Sequence, residues 1–98
     1  MARGDIAHVL VVDDEPDLRE LLVDALSDRD VEVCPAAGAD EALQVARRSR
    51  PDLVIADLFL GDGTGIEVID RLRKGRGEVP AVVITGGREV ESLSLASR

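Results

Sequence analysis

The chain has 98 residues, with 20 Asp+Glu against 12 Lys+Arg and a formal net charge of −8. That is room for one compact domain, and its acidity argues against direct binding to nucleic-acid phosphates or anionic lipid surfaces. The single cysteine, Cys34, excludes an internal disulfide and any multi-thiolate metal site within one copy; no apolar run nears the roughly 20 residues of a membrane helix, no signal-peptide pattern opens the chain, and the expected compartment is a reducing cytoplasm.

Hydrophobic residues make up 45% and charged residues 33%, the balance of a folded domain. His8-Val9-Leu10-Val11-Val12 is an aliphatic, β-branched run that ends abruptly in Asp13-Asp14-Glu15, and predicts a buried strand. Pro16 suits a first helical position, and Asp17 and Glu20 suit the positive end of a helix dipole. Leu18, Leu21, Leu22, Ala25 and Leu26 then recur at the spacing of an amphipathic helix. Val31-Glu32-Val33-Cys34 alternates as a short strand does, with Pro35 and Gly38 as breakers after it. Ala39, Ala42, Leu43 and Ala46 mark a second helix, with Arg47 and Arg48 near its negative end.

A second continuous run, Leu53-Val54-Ile55-Ala56, again ends in a carboxylate, Asp57. A loop is expected from Leu58 to Gly63. Thr64 and Glu67 have the spacing of a capping box, and Ile66, Ile69 and Leu72 share one face of a third helix that stops in Lys74-Gly75-Arg76-Gly77. Pro80 introduces Ala81-Val82-Val83-Ile84, a fourth buried strand ending in Thr85. Val90, Leu93 and Ala96 predict a weak helix in the tail.

Aliphatic strands separated by helices specify βαβ units, hence an α/β fold with a parallel sheet covered on both sides. Right-handed crossovers bring the carboxyl ends of the strands to one edge, where open α/β sheets bind ligands. Asp13, Asp14, Asp57 and Thr85 leave the strands at that edge. Two carboxylates about 5 Å apart repel by roughly 3 kcal/mol at an effective dielectric near 20, so a hard divalent cation, Mg²⁺ or Mn²⁺, is expected among them. Asp57 on the central strand is then the candidate nucleophile toward phosphorus, and Thr85 a hydrogen-bond donor to a phosphoryl oxygen.

These residues resemble the receiver domains of bacterial two-component response regulators. Val11-Val12-Asp13-Asp14-Glu15-Pro16 is similar to the family's acidic metal-binding turn, Asp57-Leu58-Phe59-Leu60 to its phosphoacceptor segment, and Val83-Ile84-Thr85-Gly86 to its hydroxyl-bearing strand end. Gly61 to Gly65 correspond to the loop between them. The resemblance implies a flavodoxin-like doubly wound sheet of strand order 2-1-3-4. It also implies that Asp57 accepts a phosphoryl group from a histidine kinase or phosphotransfer protein, with Asp13, Asp14 and the backbone carbonyl of Phe59 around Mg²⁺. The domain would be a regulatory phosphoacceptor rather than an enzyme acting on an external substrate.

Receivers usually carry a lysine beyond the Thr, at the end of a fifth strand followed by a fifth helix. The only lysine here, Lys74, precedes Thr85. The expectation is a receiver domain over 1–98 that lacks the fifth strand and helix and holds a phosphoryl group less firmly. It would expose the fourth strand as an edge through which two copies could pair.

His8 and Cys34 read as structural residues, and Arg47, Arg48 and Arg50 as complements of a helix C-terminus. The glycines at 61, 63 and 65 lack the lysine of a P-loop and read as a turn. Two other functions compete: a phosphorylation-independent interaction or dimerisation module, favoured by the missing lysine, and a Mg²⁺-dependent phosphohydrolase with an aspartyl nucleophile.

Overall fold

The computed structural model describes residues 6–85. Their aliphatic runs become β1 (Ala7–Val12), β2 (Val31–Ala36), β3 (Leu53–Asp57) and β6 (Ala81–Ile84), all parallel in the order β2-β1-β3-β6. The connecting helices are α1 (Pro16–Leu26), α2 (Ala39–Ser49) and α3 (Gly65–Arg76). This is the α/β order expected, with β6 as the fourth strand of the sheet. Between β3 and α3 the expected loop contains a small antiparallel hairpin, β4 (Phe59–Leu60) with β5 (Gly63–Thr64). Two-residue strands carry too few side chains for alternation to mark them. The weak helix expected in the tail lies outside the described residues.

Pleating sorts the aliphatic side chains between two faces. Leu10, Val12, Val54, Ala56, Ala81 and Val83 join one core with α2 and α3, through Ala42, Val45, Val68, Ile69 and Leu72. On the opposite face Val9 and Val11 are buried, while their in-register neighbours Leu53 and Ile55, and Val82 beyond them, are only half-buried. The helix there, α1, buries none of its residues, and Leu21 is 62% exposed. The apolar stripe read for α1 is thus present but loosely covered, because among the described residues one helix serves that entire face.

The expected breaker Pro35 lies within β2. Ala7 N–H donates to Asp30 and Asp13 N–H to the carbonyl of Ala36, so the even-numbered residues of β2 face β1. The nitrogen of Pro35 therefore points away from the ladder, on an edge strand, where its missing proton costs no bond. The capping box of α3 forms as expected, with Glu67 N–H donating to Thr64 Oγ1 at 3.1 Å and Thr64 N–H to Glu67 Oε1 at 3.1 Å. His8 is held structurally: its N–H donates to Asp52 Oδ2 at 2.8 Å, and its Nδ1 lies 3.4 Å from Glu32 Oε1. Cys34 is half-buried against the core. No helix among the described residues is long and apolar enough to cross a membrane.

Candidate functional site

Register brings the strand ends together. Asp13 extends the β1 ladder by one residue, its N–H donating to Ala36 at 3.1 Å. Its side chain then turns the chain into α1: Oδ1 accepts from Glu15 N–H at 2.9 Å. Arg19, on the first turns of α1, donates to the Asp13 carbonyl at 2.7 Å. Asp57 closes β3 beside Ile84 of β6, and Leu58 N–H continues the ladder to the Ile84 carbonyl at 2.6 Å. Thr85 follows Ile84 directly, half-buried at the same edge.

Carboxylate oxygens of Asp13, Asp14 and Asp57 all lie within 4.8 Å of one another. Asp13 is fully buried and its Oδ2 has no hydrogen-bond partner, whereas Asp14 is exposed. Burial pushes the Asp57 carboxyl above its ordinary range and the charge of Asp13 adds to the rise, followed by that of Asp14. The N–H groups of Phe59 and Leu58 oppose it, Phe59 N–H at 3.4 Å from Asp57 Oδ1. A buried carboxylate oxygen without a donor, beside two more carboxylates, is costly. An oxygen-seeking cation satisfies all three at once, so the residues present fit Mg²⁺ or Mn²⁺.

The site leans on three residues that their local sequence does not reveal. Arg19 is a base in the early turns of a helix, against the dipole, and its bond to Asp13 explains the position. Asp62, beyond the β4 strand, accepts from Ala39 N–H at 2.7 Å and Asp40 N–H at 3.2 Å, and so caps α2 from the loop after Asp57. These bonds lower the Asp62 carboxyl below its ordinary range. Gly65 opens α3 directly against β3: a Cβ there would collide with the Asp57 carbonyl oxygen and lie 3.0 Å from Ala56 Cβ. Phe59 projects its ring outward, 60% exposed, while its backbone pairs with Thr64. Lys74 lies on α3 in an ion pair with Asp70 at 3.3 Å.

Comparison with known proteins agrees with this fold. The family described as the response regulator receiver domain matches residues 9–96. The probable transcriptional regulatory protein TcrX of Mycobacterium tuberculosis is 38% identical over 90 residues, covering 92% of this chain and 38% of its own length. The nitrogen assimilation regulatory protein NtrX of Azorhizobium caulinodans is 36% identical over 94 residues, covering 93% of this chain but 21% of its own. The chain thus spans well under half the length of these relatives. Among solved structures, the response regulator TrrA of Thermotoga maritima, in complex with the histidine kinase ThkA, superposes with a TM-score of 0.78 at 32% identity. That match covers 95% of this chain and 82% of TrrA. The chemotaxis protein CheY4 of Vibrio cholerae gives 0.78 at 31% identity, covering 86% and 72% respectively.

Proposed function

Since the chain belongs to the response regulator receiver domain family, we propose that it is a phosphoacceptor switch and that Asp57 is the residue that carries the phosphoryl group. The reading rests on one observation above all, the approach of three carboxylates within 4.8 Å at the carboxyl edge of a parallel sheet. An oxygen of Asp57 attacks the phosphorus of a phosphohistidine; the P–N bond breaks, and the imidazole leaves with the electron pair and takes up a proton. Asp13, Asp14, Asp57 and the backbone carbonyl of Phe59 would hold Mg²⁺, or Mn²⁺, which when bound screens carboxylate charge from the incoming phosphoryl oxygens. Thr85 would donate its hydroxyl to one of those oxygens. Glu15 N–H and Arg19 keep Asp13 in place throughout.

The donor in this proposal is a histidine kinase or phosphotransfer protein. Two structures of one neighbour support it: TrrA has been solved in complex with the histidine kinase ThkA and in complex with Mg²⁺–BeF. Among the described residues β6 pairs with β3 alone, so the reading extends to pairing of two copies through β6. Light scattering that finds only monomer at every concentration removes that extension. The main proposal is tested by incubating the chain with acetyl phosphate and Mg²⁺ and weighing it by mass spectrometry. A phosphoryl adduct is expected in the parent chain and none in Asp57→Asn; equal adducts in both contradict the assignment.

A further inference from the structure

At the amino end of the sheet, opposite the carboxylates, the last turns of α2 and α3 enclose a groove of about 450 Å³ whose chemistry runs against the rest of the chain. Arg47, Arg50, Arg71 and Arg76 rim it, and among the described residues no acidic one lines it. Leu43, Ala46 and Leu72 supply an apolar floor. Helix dipoles account for some base here, because the carbonyl ends of both helices are partially negative. Yet Arg76 is already bonded to the Pro51 carbonyl and Arg73 to the Val79 carbonyl. Arg47, Arg50 and Arg71 enter no ion pair or side-chain hydrogen bond with any described residue.

Arg50 adds an independent sign. It ends α2 at φ 49°, ψ 68°, the one non-glycine residue with positive φ among those described. Glycine is the residue that this left-handed position favours, because a Cβ there is strained. Strain tolerated at one residue points to a use for its side chain, and Arg50 lines the groove.

We propose that this groove docks an acidic segment of a partner polypeptide, with an aliphatic side chain on the Leu43–Leu72 floor and carboxylates on the guanidinium rim. Guanidinium forks match carboxylates in pairs of hydrogen bonds. A peptide fits better than a nucleic acid. The groove has no aromatic side chain on which a base could stack, Phe59 being the only aromatic residue of the chain. Docking at this end is independent of the phosphoacceptor reading.

Fluorescence anisotropy of the full chain with a short fluorescein-labelled peptide of glutamate and leucine tests the proposal. Saturable binding that weakens with added salt is expected. Arg47→Ala and Arg71→Ala should each lower affinity by roughly tenfold, the worth of one charge-assisted contact. Arg50→Gly should weaken binding while raising the melting temperature by a few degrees, since it removes both the charge and the strain. A purely structural arginine would not separate the two readouts in this way. The proposal is overturned by absence of saturable binding, by equal binding of a lysine–leucine peptide, by tighter binding of single-stranded DNA, or by an Arg50→Gly variant that binds as well as the parent.

Discussion

Asp57 is maintained as an acid at a position that disfavours its charge. Burial and the neighbouring Asp13 raise its carboxyl above 3.8, so the folded chain binds that proton more tightly than the unfolded one. Its contribution to stability is therefore greatest below the unfolded value and is lost as pH rises through the folded one. Asp57→Asn should stabilise the metal-free chain at pH 7 by about 1–3 kcal/mol, the scale of one close carboxylate repulsion, as read by urea melts in EDTA. A less stable variant under those conditions would show that the charge is already compensated. Asp62 has the opposite sign. Its carboxyl is lowered by the α2 N–H groups it caps, so its contribution is present above 3.8 and lost as pH falls through the folded value. Asp62→Asn should flatten the acid limb of a stability–pH profile, where Asp57→Asn flattens the limb above it.

The same residues separate what the sequence makes legible from what it does not. Asp13, Asp14 and Asp57 stand out because each follows an aliphatic strand without a break, and a parallel sheet must gather such ends at one edge. Asp62, Arg19 and Gly65 act through contacts whose meaning appears only when the elements are packed: Asp62 caps a helix that begins 23 residues earlier. A carboxylate in a glycine-rich turn has no local pattern that announces such a partner.

At the scale of elements, α3 is fixed at both the chain and the site. Its capping box holds the first turn, and Gly65 lets that turn lie on the carbonyl of Asp57. Gly65→Ala must push α3 and β3 apart; a cost of about 1–3 kcal/mol follows from overpacking, together with slower phosphorylation because Asp57 moves. Unchanged melting and labelling in that variant would contradict the close approach. Burial differs sharply between α1 and α3, and the helix richer in leucine is the less buried. Leu72 on α3 is 7% exposed and Leu21 on α1 is 62% exposed. Leu72→Ala should cost about 2–5 kcal/mol, and Leu21→Ala within about 0.5 kcal/mol of nothing, by denaturant unfolding. Helical spacing shows both leucines on apolar stripes; only packing tells which stripe is covered. Likewise Pro35 breaks a central strand but not an edge one, and edge position is a property of the sheet order.

Across the whole molecule, the carboxylate triad and the arginine-lined groove lie at opposite ends of the strands, although Asp30 and Asp52, just before β2 and β3, also place carboxylates at the amino end. The triad collects at the carboxyl edge of the sheet and the arginines at the far ends of α2 and α3, while the net balance is strongly acidic. Right-handed βαβ units place the carboxyl ends of the strands on one side and those of the helices on the other.

Phosphate carried at the carboxylate edge should reside on the Asp57 carboxylate alone. After reaction with acetyl phosphate and Mg²⁺, borohydride reduction converts an aspartyl phosphate to homoserine, and peptide mass spectrometry locates the conversion. Homoserine is expected at position 57, dependent on the divalent ion; homoserine at 13 or 14, or phosphate retained on His8, would overturn the assignment.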